Sequence, residues 1–124
     1  MGKIESFKDL IVWQKAVELA VMTYKLSECF PDHEKFGMMS QMRRAAVSIS
    51  SNIAEGFGRK TAKDKIRFYT MAQGSNDELQ SLIYVALRIK YLSDGDVSSI
   101  AIEIDDIKSL LHGLMKSAVS YSNT

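Results

Sequence analysis

A stripe of polar side chains between residues 41 and 59 combines residue types suited to a fixed hydrogen-bond network. Its steps of three and four residues place the side chains on one face of an α-helix, at about 100° per residue. The stripe comprises Gln41, Arg44, Ser48, Asn52, Glu55 and Arg59. A neighbouring apolar stripe with the same spacing comprises Met39, Met42, Ala46, Ile49 and Ile53. Because the polar stripe borders a predicted core, we expect its amides, hydroxyls and charges to bind one another.

A second group of residues could bind an anion at the joint that follows this helix. Five cations lie within nine residues, opposed only by Asp64, and they are Arg59, Lys60, Lys63, Lys65 and Arg67. Such a cluster can contact a phosphate backbone without reading base sequence. We expect Lys63 and Lys65 to face solvent. The alternative interpretation is a solubilising helix end, since short basic runs are common. An acidic pole is predicted from Asp94, Asp96, Glu103, Asp105 and Asp106.

The residue patterns of known catalytic and metal sites are not recognisable. His33 and His112 have no glutamate three residues before them, which argues against a di-iron bundle. A possible zinc cluster comprises Cys29, Asp32, His33 and Glu34. Pro31 breaks its helical spacing, and a buried cysteine beside a polar loop is the preferred interpretation. Neither a phosphate-binding glycine motif nor a catalytic triad is evident. We therefore predict no enzyme, no catalytic residues, no metal and no cofactor.

These stripes require long helices, and the sequence predicts four. Pro31 is the only proline, and no segment alternates with period two, so strands are not expected. The predicted helices span residues 9–28, 34–57, 62–91 and 97–120 of a single domain, 1–124. Helices of similar length with short joints predict an all-α, antiparallel up-down-up-down four-helix bundle.

The spacing of apolar residues predicts which helix faces are buried. The first helix should bury Leu10, Trp13, Val17, Ala20 and Tyr24. The third should bury Ile66, Tyr69, Ala72, Leu79, Leu82 or Ile83, Ala86 and Ile89. The fourth carries a heptad seam of Val97, Ile100, Ile104, Ile107, Leu111, Leu114, Ala118 and Tyr121. Asp96 is the predicted N-cap of the fourth helix, and Gly56 and Gly58 are expected to end the second.

Antiparallel packing of the second and third helices predicts which of their side chains meet. Counting back from the joint at residues 58–61 places Arg44 opposite Ser75 and Glu78. We expect an Arg44–Glu78 ion pair, with Ser75 in the same network and Gly74 allowing the backbones to approach. If the pair is substantially buried, removing Glu78 would cost roughly 2–4 kcal/mol.

Composition and surplus apolar residues bear on partners. The formal net charge of +1 gives the whole chain no electrostatic reason to bind nucleic acid or a membrane. The single cysteine favours a cytoplasmic location. Apolar residues outside the seams are Ile11, Val12, Val21, Met22, Ile102, Leu110 and Met115. They would form exposed patches on a monomer, so we expect a homo-oligomer.

Several motifs resemble a known family over the chain up to about residue 92. They are D-L-x-V-W-Q-K-A at 9–16, F-P at 30–31, E-K-F-G at 34–37, Q-M-R-R-A-A-V-S-I-S-S-N-I-A-E-G at 41–56 and A-Q-G-S-x-x-E-L at 72–79. The chain resembles the four-helix-bundle proteins named for reading frames inside intervening sequences of bacterial large-subunit ribosomal RNA genes. Family members more often have proline at the position of Ser50.

The resemblance implies a left-handed antiparallel bundle and a homopentameric ring. A similar fold belongs to the accessory variability determinant of diversity-generating retroelements, a basic pentamer associated with RNA and a reverse transcriptase. We predict a bacterial, non-enzymatic oligomeric module that binds RNA or DNA through the basic cluster. The alternatives are a protein-binding adaptor without nucleic acid and an enzyme that uses the polar stripe.

Overall fold

Four α-helices make up most of the protein. The computed structural model describes residues 3–122, with side chains through residue 120. The helices are α1 (Ile11–Ser27), α2 (Met38–Phe57), α3 (Ala62–Arg88) and α4 (Asp94–Ser122). Short 3₁₀ helices at Phe7–Asp9 and Asp32–Glu34 precede α1 and α2. Residues 3–122 contain no strand. The prediction of an all-α fold with four helices is confirmed.

Each helix packs against two others. α1 packs on α2 and α4, and α3 packs on the same two helices, so the four helices enclose one core. Between α2 and α3, Ser48 Oγ lies 2.8 Å from Ser75 Oγ. Four residues earlier in α2, Arg44 contacts Glu78, which lies three residues later in α3. These two helices therefore run antiparallel.

Three helix ends differ from the predicted ones where the backbone turns. α1 begins at Ile11, after a separate 3₁₀ helix that Ser6 caps. α2 begins at Met38 and not at residue 34, because residues 32–34 form a 3₁₀ helix of their own. α3 ends at Arg88 and not at residue 91. Lys90 has a φ of 68°, a left-handed conformation that helix termini commonly adopt.

Ser93 caps α4, which begins earlier than predicted. The Ser93 hydroxyl accepts a hydrogen bond from the Asp96 amide at 3.1 Å. The Asp96 carboxylate accepts one from the Ser93 amide at 3.1 Å. This reciprocal pair is a capping box, in which Asp96 is the third helical residue. The prediction of Asp96 as the N-cap is therefore wrong.

The inner faces of α2, α3 and α4 follow the predicted spacing closely. In α2, Met42, Ala46, Ile49 and Ile53 are buried, and Met39 is half-buried. The buried members of the α4 seam are Val97, Ile100, Ile104, Ile107, Leu111 and Ala118. Leu114 is half-buried, and the Tyr121 side chain lies outside the described residues. α3 buries Tyr69, Ala72, Leu79, Ile83 and Ala86 as predicted, together with Asn76, which was not predicted. The expected inner residue Ile89 is exposed.

The buried face of α1 is rotated by one residue from the predicted face. α1 buries Val12, Ala16, Leu19, Thr23 and Ser27. Thr23 Oγ1 donates to the Leu19 carbonyl at 2.8 Å, and Ser27 Oγ donates to the Thr23 carbonyl at 2.8 Å. Hydroxyls satisfied within their own helix can occupy core positions that apolar spacing does not reveal. Leu10 is buried as predicted, but the rest of the predicted face is wrong: Trp13, Val17 and Ala20 are half-buried, and Tyr24 is exposed.

Gly58 ends α2 as predicted, whereas Gly56 and Gly74 have roles different from those predicted. Gly56 lies inside α2, and a Cβ there would be 2.6 Å from Cε1 of Tyr69 in α3. Glycine at this position therefore allows the ring to approach the α2 backbone. Gly58 is the C-cap residue of α2. Gly74 is exposed, and a Cβ there would meet no atom within 4 Å, so the predicted close approach at Gly74 is wrong.

Candidate nucleic-acid interface

The five predicted cations lie at the end of the bundle where α2 joins α3. Arg59 and Lys60 follow α2, and Lys63, Lys65 and Arg67 lie in the first turns of α3. Thr61 caps α3, because its hydroxyl accepts a hydrogen bond from the Asp64 amide at 3.1 Å. The joint therefore brings the predicted cluster together in space, at the opposite end of α3 from the acidic residues that begin α4.

The two arginines of the cluster are engaged within the protein. Arg59 forms an ion pair with Glu55 at 3.0 Å and lies 3.8 Å from an Asp64 carboxylate oxygen. Arg67 pairs with Asp64 at 3.0 Å. Both guanidinium groups also lie over the Phe68 ring, at 4.5 Å and 4.4 Å from its centroid. Two carboxylates, and not Asp64 alone, thus oppose the five cations and reduce the field that an approaching anion would meet.

Lys65 was predicted to face solvent, and the structure shows that it does not. Its side chain is half-buried, and its ammonium group donates to the Phe57 carbonyl at 2.6 Å. The ammonium group also lies 5.2 Å from the centroid of the Phe57 ring. Desolvation by burial lowers the Lys65 pKa from its ordinary value. The Phe57 carbonyl belongs to the last turn of α2, so Lys65 satisfies an acceptor that the helix itself leaves unpaired.

Lys60 and Lys63 are the cations of the cluster that are free to bind a ligand. Both side chains are exposed, and neither forms an ion pair or a side-chain hydrogen bond within residues 3–122. An exposed lysine can neutralise a phosphate by releasing a counterion. The cluster therefore presents two unengaged charges in place of the five expected from the sequence.

The predicted polar network divides into three smaller groups. Arg44 Nη2 donates to Glu78 Oε2 at 3.1 Å, with the two side chains 65% and 41% exposed. A second group joins Ser48, Asn52 and Ser75, with Asn52 Nδ2 bonded to the Ser48 hydroxyl at 3.0 Å. The third is the Glu55–Arg59 pair. Gln41 is exposed and makes no side-chain hydrogen bond in the described part of the chain.

This exposure changes the energy expected for the Arg44–Glu78 pair. The condition of substantial burial is not met, so a cost of roughly 2–4 kcal/mol does not apply. Exposed ion pairs contribute about 0.2–1 kcal/mol. The pair therefore contributes little to the stability of the α2–α3 interface.

A second cationic surface lies on α1, α2 and the segment between them, and the sequence did not reveal it. We call it the basic apolar groove. It encloses about 470 Å³ and is lined by Tyr24, Lys35, Phe36, Met39, Ser40, Arg43, Arg44 and Val47. Phe36 is 90% exposed. Arg43 lies 4.4 Å from the centroid of the Tyr24 ring. The groove was missed because Tyr24 was assigned to the core, although the adjacent arginines of α2 were a signal.

Of the four residues of the zinc cluster that the sequence argued against, Glu34 and His33 lie next to the Tyr91 hydroxyl. Tyr91 donates its hydroxyl proton to Glu34 Oε2 at 2.8 Å, and the Met38 amide donates to Glu34 Oε1 at 3.2 Å. The Met38 bond, followed by the Tyr91 bond, lowers the Glu34 pKa. Cys29 is exposed and not buried as interpreted. Among residues 3–122, no three His, Cys, Asp or Glu side chains are grouped to hold a metal ion.

The surplus apolar residues divide into three classes. Ile11, Val21 and Ile102 are exposed, as expected for an unused surface. Met22, Leu110 and Met115 are half-buried against the core. Val12 is buried, so its assignment outside the core is wrong. None of the helices in the described part of the chain is long and apolar enough to cross a membrane.

Comparisons with known proteins identify relatives of the fold and sequence. A family model described as 23S rRNA-intervening sequence protein matches residues 8–113. A crystal structure of a protein of unknown function from the S23 ribosomal protein family of Bacteroides thetaiotaomicron is similar, with a TM-score of 0.76 and 26% sequence identity. The match covers 86% of this chain and 99% of that one. No curated protein matches the chain. Neither description names an enzymatic activity.

Proposed function

The chain belongs to the 23S rRNA-intervening sequence protein family, and we propose that it is a non-enzymatic module that assembles with further copies of itself in the cytoplasm. The observation that carries this proposal is Phe36, whose side chain is 90% exposed at the edge of the basic apolar groove. Single exposed apolar residues are common on monomers. An apolar surface rimmed by cations is instead typical of an interaction site.

Ile102 of α4 is the complementary feature that favours a second copy of the chain as the partner. Its side chain is 62% exposed, and Asp105 and Asp106 lie three and four residues further along α4, next to it on the helix surface. An apolar side chain flanked by carboxylates fits a groove with an apolar floor and a cationic rim. In the proposed assembly the groove of one copy receives Ile102 of the next copy in a heterologous, head-to-tail contact. Heterologous contacts form a ring where the rotation between subunits closes, and the resemblance to the family favours a ring of five subunits.

Sedimentation velocity at micromolar concentration tests this assembly. Phe36→Ser and Ile102→Ser should each dissociate the oligomer, because each removes one of the two surfaces. An equimolar mixture of the two variants should form a dimer and nothing larger, since each retains the surface that the other lacks. Met71→Ser removes an exposed apolar side chain of α3 and serves as the control. Native protein that sediments only as the 13.9 kDa monomer would refute the proposal.

Nucleic-acid binding at the α2–α3 joint is the second candidate function, supported by the exposed and unengaged Lys60 and Lys63. A ring would repeat this pair at one end and add the fields of its copies. Binding should be sequence-tolerant and steeply salt-dependent, because it depends on release of counterions. Lys65 is unsuited to charge reversal as a test, since its ammonium group is bonded to the end of α2.

Fluorescence anisotropy with a labelled double-stranded RNA at several salt concentrations tests the second candidate. The double variant Lys60→Glu/Lys63→Glu should abolish binding at low salt. Lys108→Glu/Lys116→Glu makes the same charge change on exposed positions of α4 and should retain most of the affinity. Equal losses in both variants would reject the site. An oligomer with no affinity for the RNA would favour the protein-adaptor alternative.

A further inference from the structure

A pocket at the α2–α3 end of the bundle combines an apolar wall with cations. It encloses about 690 Å³, within the range of small-molecule sites, roughly 300–1,000 Å³. Its apolar lining comes from the N-terminal segment, α2 and α4, and includes Ile4, Leu10, Phe57, Leu114 and Ala118. Lys60 and Lys65 also line it, and none of the described residues that line it carries a carboxylate. A pocket with this lining favours a ligand that is both apolar and negatively charged.

The first turn of α3 adds hydrogen-bond donors to the same pocket. Thr61 and Ala62 are lining residues, and α3 has 27 residues, so its N-terminus carries a substantial partial positive charge. Among the amides of this turn, the Thr61 hydroxyl accepts a hydrogen bond only from that of Asp64. The amides at the first two helical positions have no partner within the helix and can bind an anion.

Tyr69 independently indicates that the pocket can bind a ligand. It lines the pocket and is only 2% exposed, yet its hydroxyl has no hydrogen-bond partner within residues 3–122. Among the described residues, the unpartnered side-chain atoms that are fully enclosed are Gln73 Oε1 and Asn76 Oδ1. The Tyr69 hydroxyl is unpartnered but not fully enclosed, so it is accessible from the pocket that Tyr69 lines. Burial raises the Tyr69 pKa to about 12, which keeps the group protonated as a donor.

We propose that this pocket binds a small amphipathic anion, a carboxylate or sulfonate with an apolar body. The apolar body contacts the side chains of α2 and α4. The anionic head accepts hydrogen bonds from the Tyr69 hydroxyl and the α3 amides and pairs with Lys60. Lys65 stays bonded to the end of α2 and contributes its charge at short range. This site is separate from the basic apolar groove and does not depend on self-assembly.

Fluorescence titration of the full chain with anilinonaphthalene sulfonate tests the site. Decanoate should displace this probe, whereas decanol, which lacks the charge, should displace it poorly. Lys60→Met should weaken probe binding about fivefold, as expected for loss of an exposed ion pair. Lys63→Met makes the same change one turn away, outside the pocket lining, and should leave the affinity unchanged. Tyr69→Phe should also weaken binding about fivefold, with the ring kept in place.

Two results would overturn this assignment. The first is equal affinity of the native protein, Lys60→Met and Tyr69→Phe for the probe. The second is loss of probe binding in Phe36→Ser alone, which would place the probe in the basic apolar groove. Melting temperatures of all variants distinguish loss of the site from loss of the fold. Ala118→Leu adds bulk to the pocket wall and should reduce probe binding by filling the pocket.

Discussion

Replacement of Gly56 by alanine should destabilise the bundle, although alanine is the better helix former. An added Cβ would lie 2.6 Å from Tyr69 Cε1 and 2.8 Å from Tyr69 Cδ1, closer than carbon atoms approach without repulsion. Both residues are buried, and the aromatic ring is rigid, so it can yield only by shifting as a whole. Overpacking of this kind costs about 1–3 kcal/mol, whereas the helix-propensity gain is roughly 0.5–1 kcal/mol. The middle values of these two ranges leave a net loss of about 1 kcal/mol.

Urea denaturation followed by far-ultraviolet circular dichroism measures this loss. The protein concentration must be equal for all variants, because self-association would shift the midpoint. Gly74→Ala is the matched control. It lies inside α3, and its Cβ would meet no atom within 4 Å, so only helix propensity acts. This control should gain about 0.5–1 kcal/mol.

A double-mutant cycle identifies the Tyr69 ring as the cause. In a Tyr69→Leu background the ring is absent, and the cost of Gly56→Ala should fall by about 1 kcal/mol. A Gly56→Ala variant as stable as Gly74→Ala would refute the steric reasoning. An equal cost in both backgrounds would assign the strain to another contact, since Phe68 Cβ also lies 3.1 Å from the added atom.

Three further changes test the polar contacts. Glu78→Gln should lower the free energy of unfolding by no more than about 1 kcal/mol, because the pair with its arginine is exposed; urea denaturation measures this, and a larger loss would contradict that value. Asn76→Leu should raise the free energy of unfolding by about 1 kcal/mol, because the buried Oδ1 has no partner in the described residues. Lower stability would mean that the hydrogen bond from Asn76 Nδ2 to the Ile104 carbonyl of α4 outweighs the cost of the unpaired Oδ1. The Met38 amide, and then the Tyr91 hydroxyl, hold the Glu34 pKa below its ordinary value of 4.5. Stability from a lowered pKa is present above the unfolded value and is lost as the pH falls through the folded value. Glu34→Gln should therefore flatten the decline in urea midpoint below about pH 4.5, and an unchanged acid profile would count against this role.

Periodic features of the sequence predicted the fold well, because helix geometry is regular. The heptad spacing of α4 identifies its buried face from Val97 to Ala118. The fixed rise per residue also makes counting from a joint informative, and the structure has Arg44 bonded to Glu78 at 3.1 Å. Counting does not reveal the exposure of the pair, since exposure depends on how far the side chains extend beyond the packed surface. Contact and energy are therefore predictable to different degrees.

Lys65 and Gly56 illustrate contacts that spacing cannot predict. The orientation of Lys65 depends on the Phe57 carbonyl, an acceptor that belongs to the preceding helix. Lysine stems often follow an apolar surface while the charged group finds a polar partner. The role of Gly56 depends on the Tyr69 ring across the interface. In both cases the contact that gives the residue its role is with an atom of another helix, so the local sequence does not reveal that role.

The hydroxyls buried in α1 also determine the surface proposed for assembly. Ser27 donates to the Thr23 carbonyl and accepts a hydrogen bond from Arg43 Nε at 2.9 Å. Arg43 Nη2 donates to the Tyr24 carbonyl at 3.1 Å, while the guanidinium covers the Tyr24 ring. With Thr23 and Ser27 facing the core, Tyr24 faces outward, and its carbonyl and the Ser27 hydroxyl hold Arg43 against its ring. Both side chains line the basic apolar groove beside Phe36. The burial of Thr23 and Ser27, which apolar spacing did not predict, therefore also determines one wall of this groove.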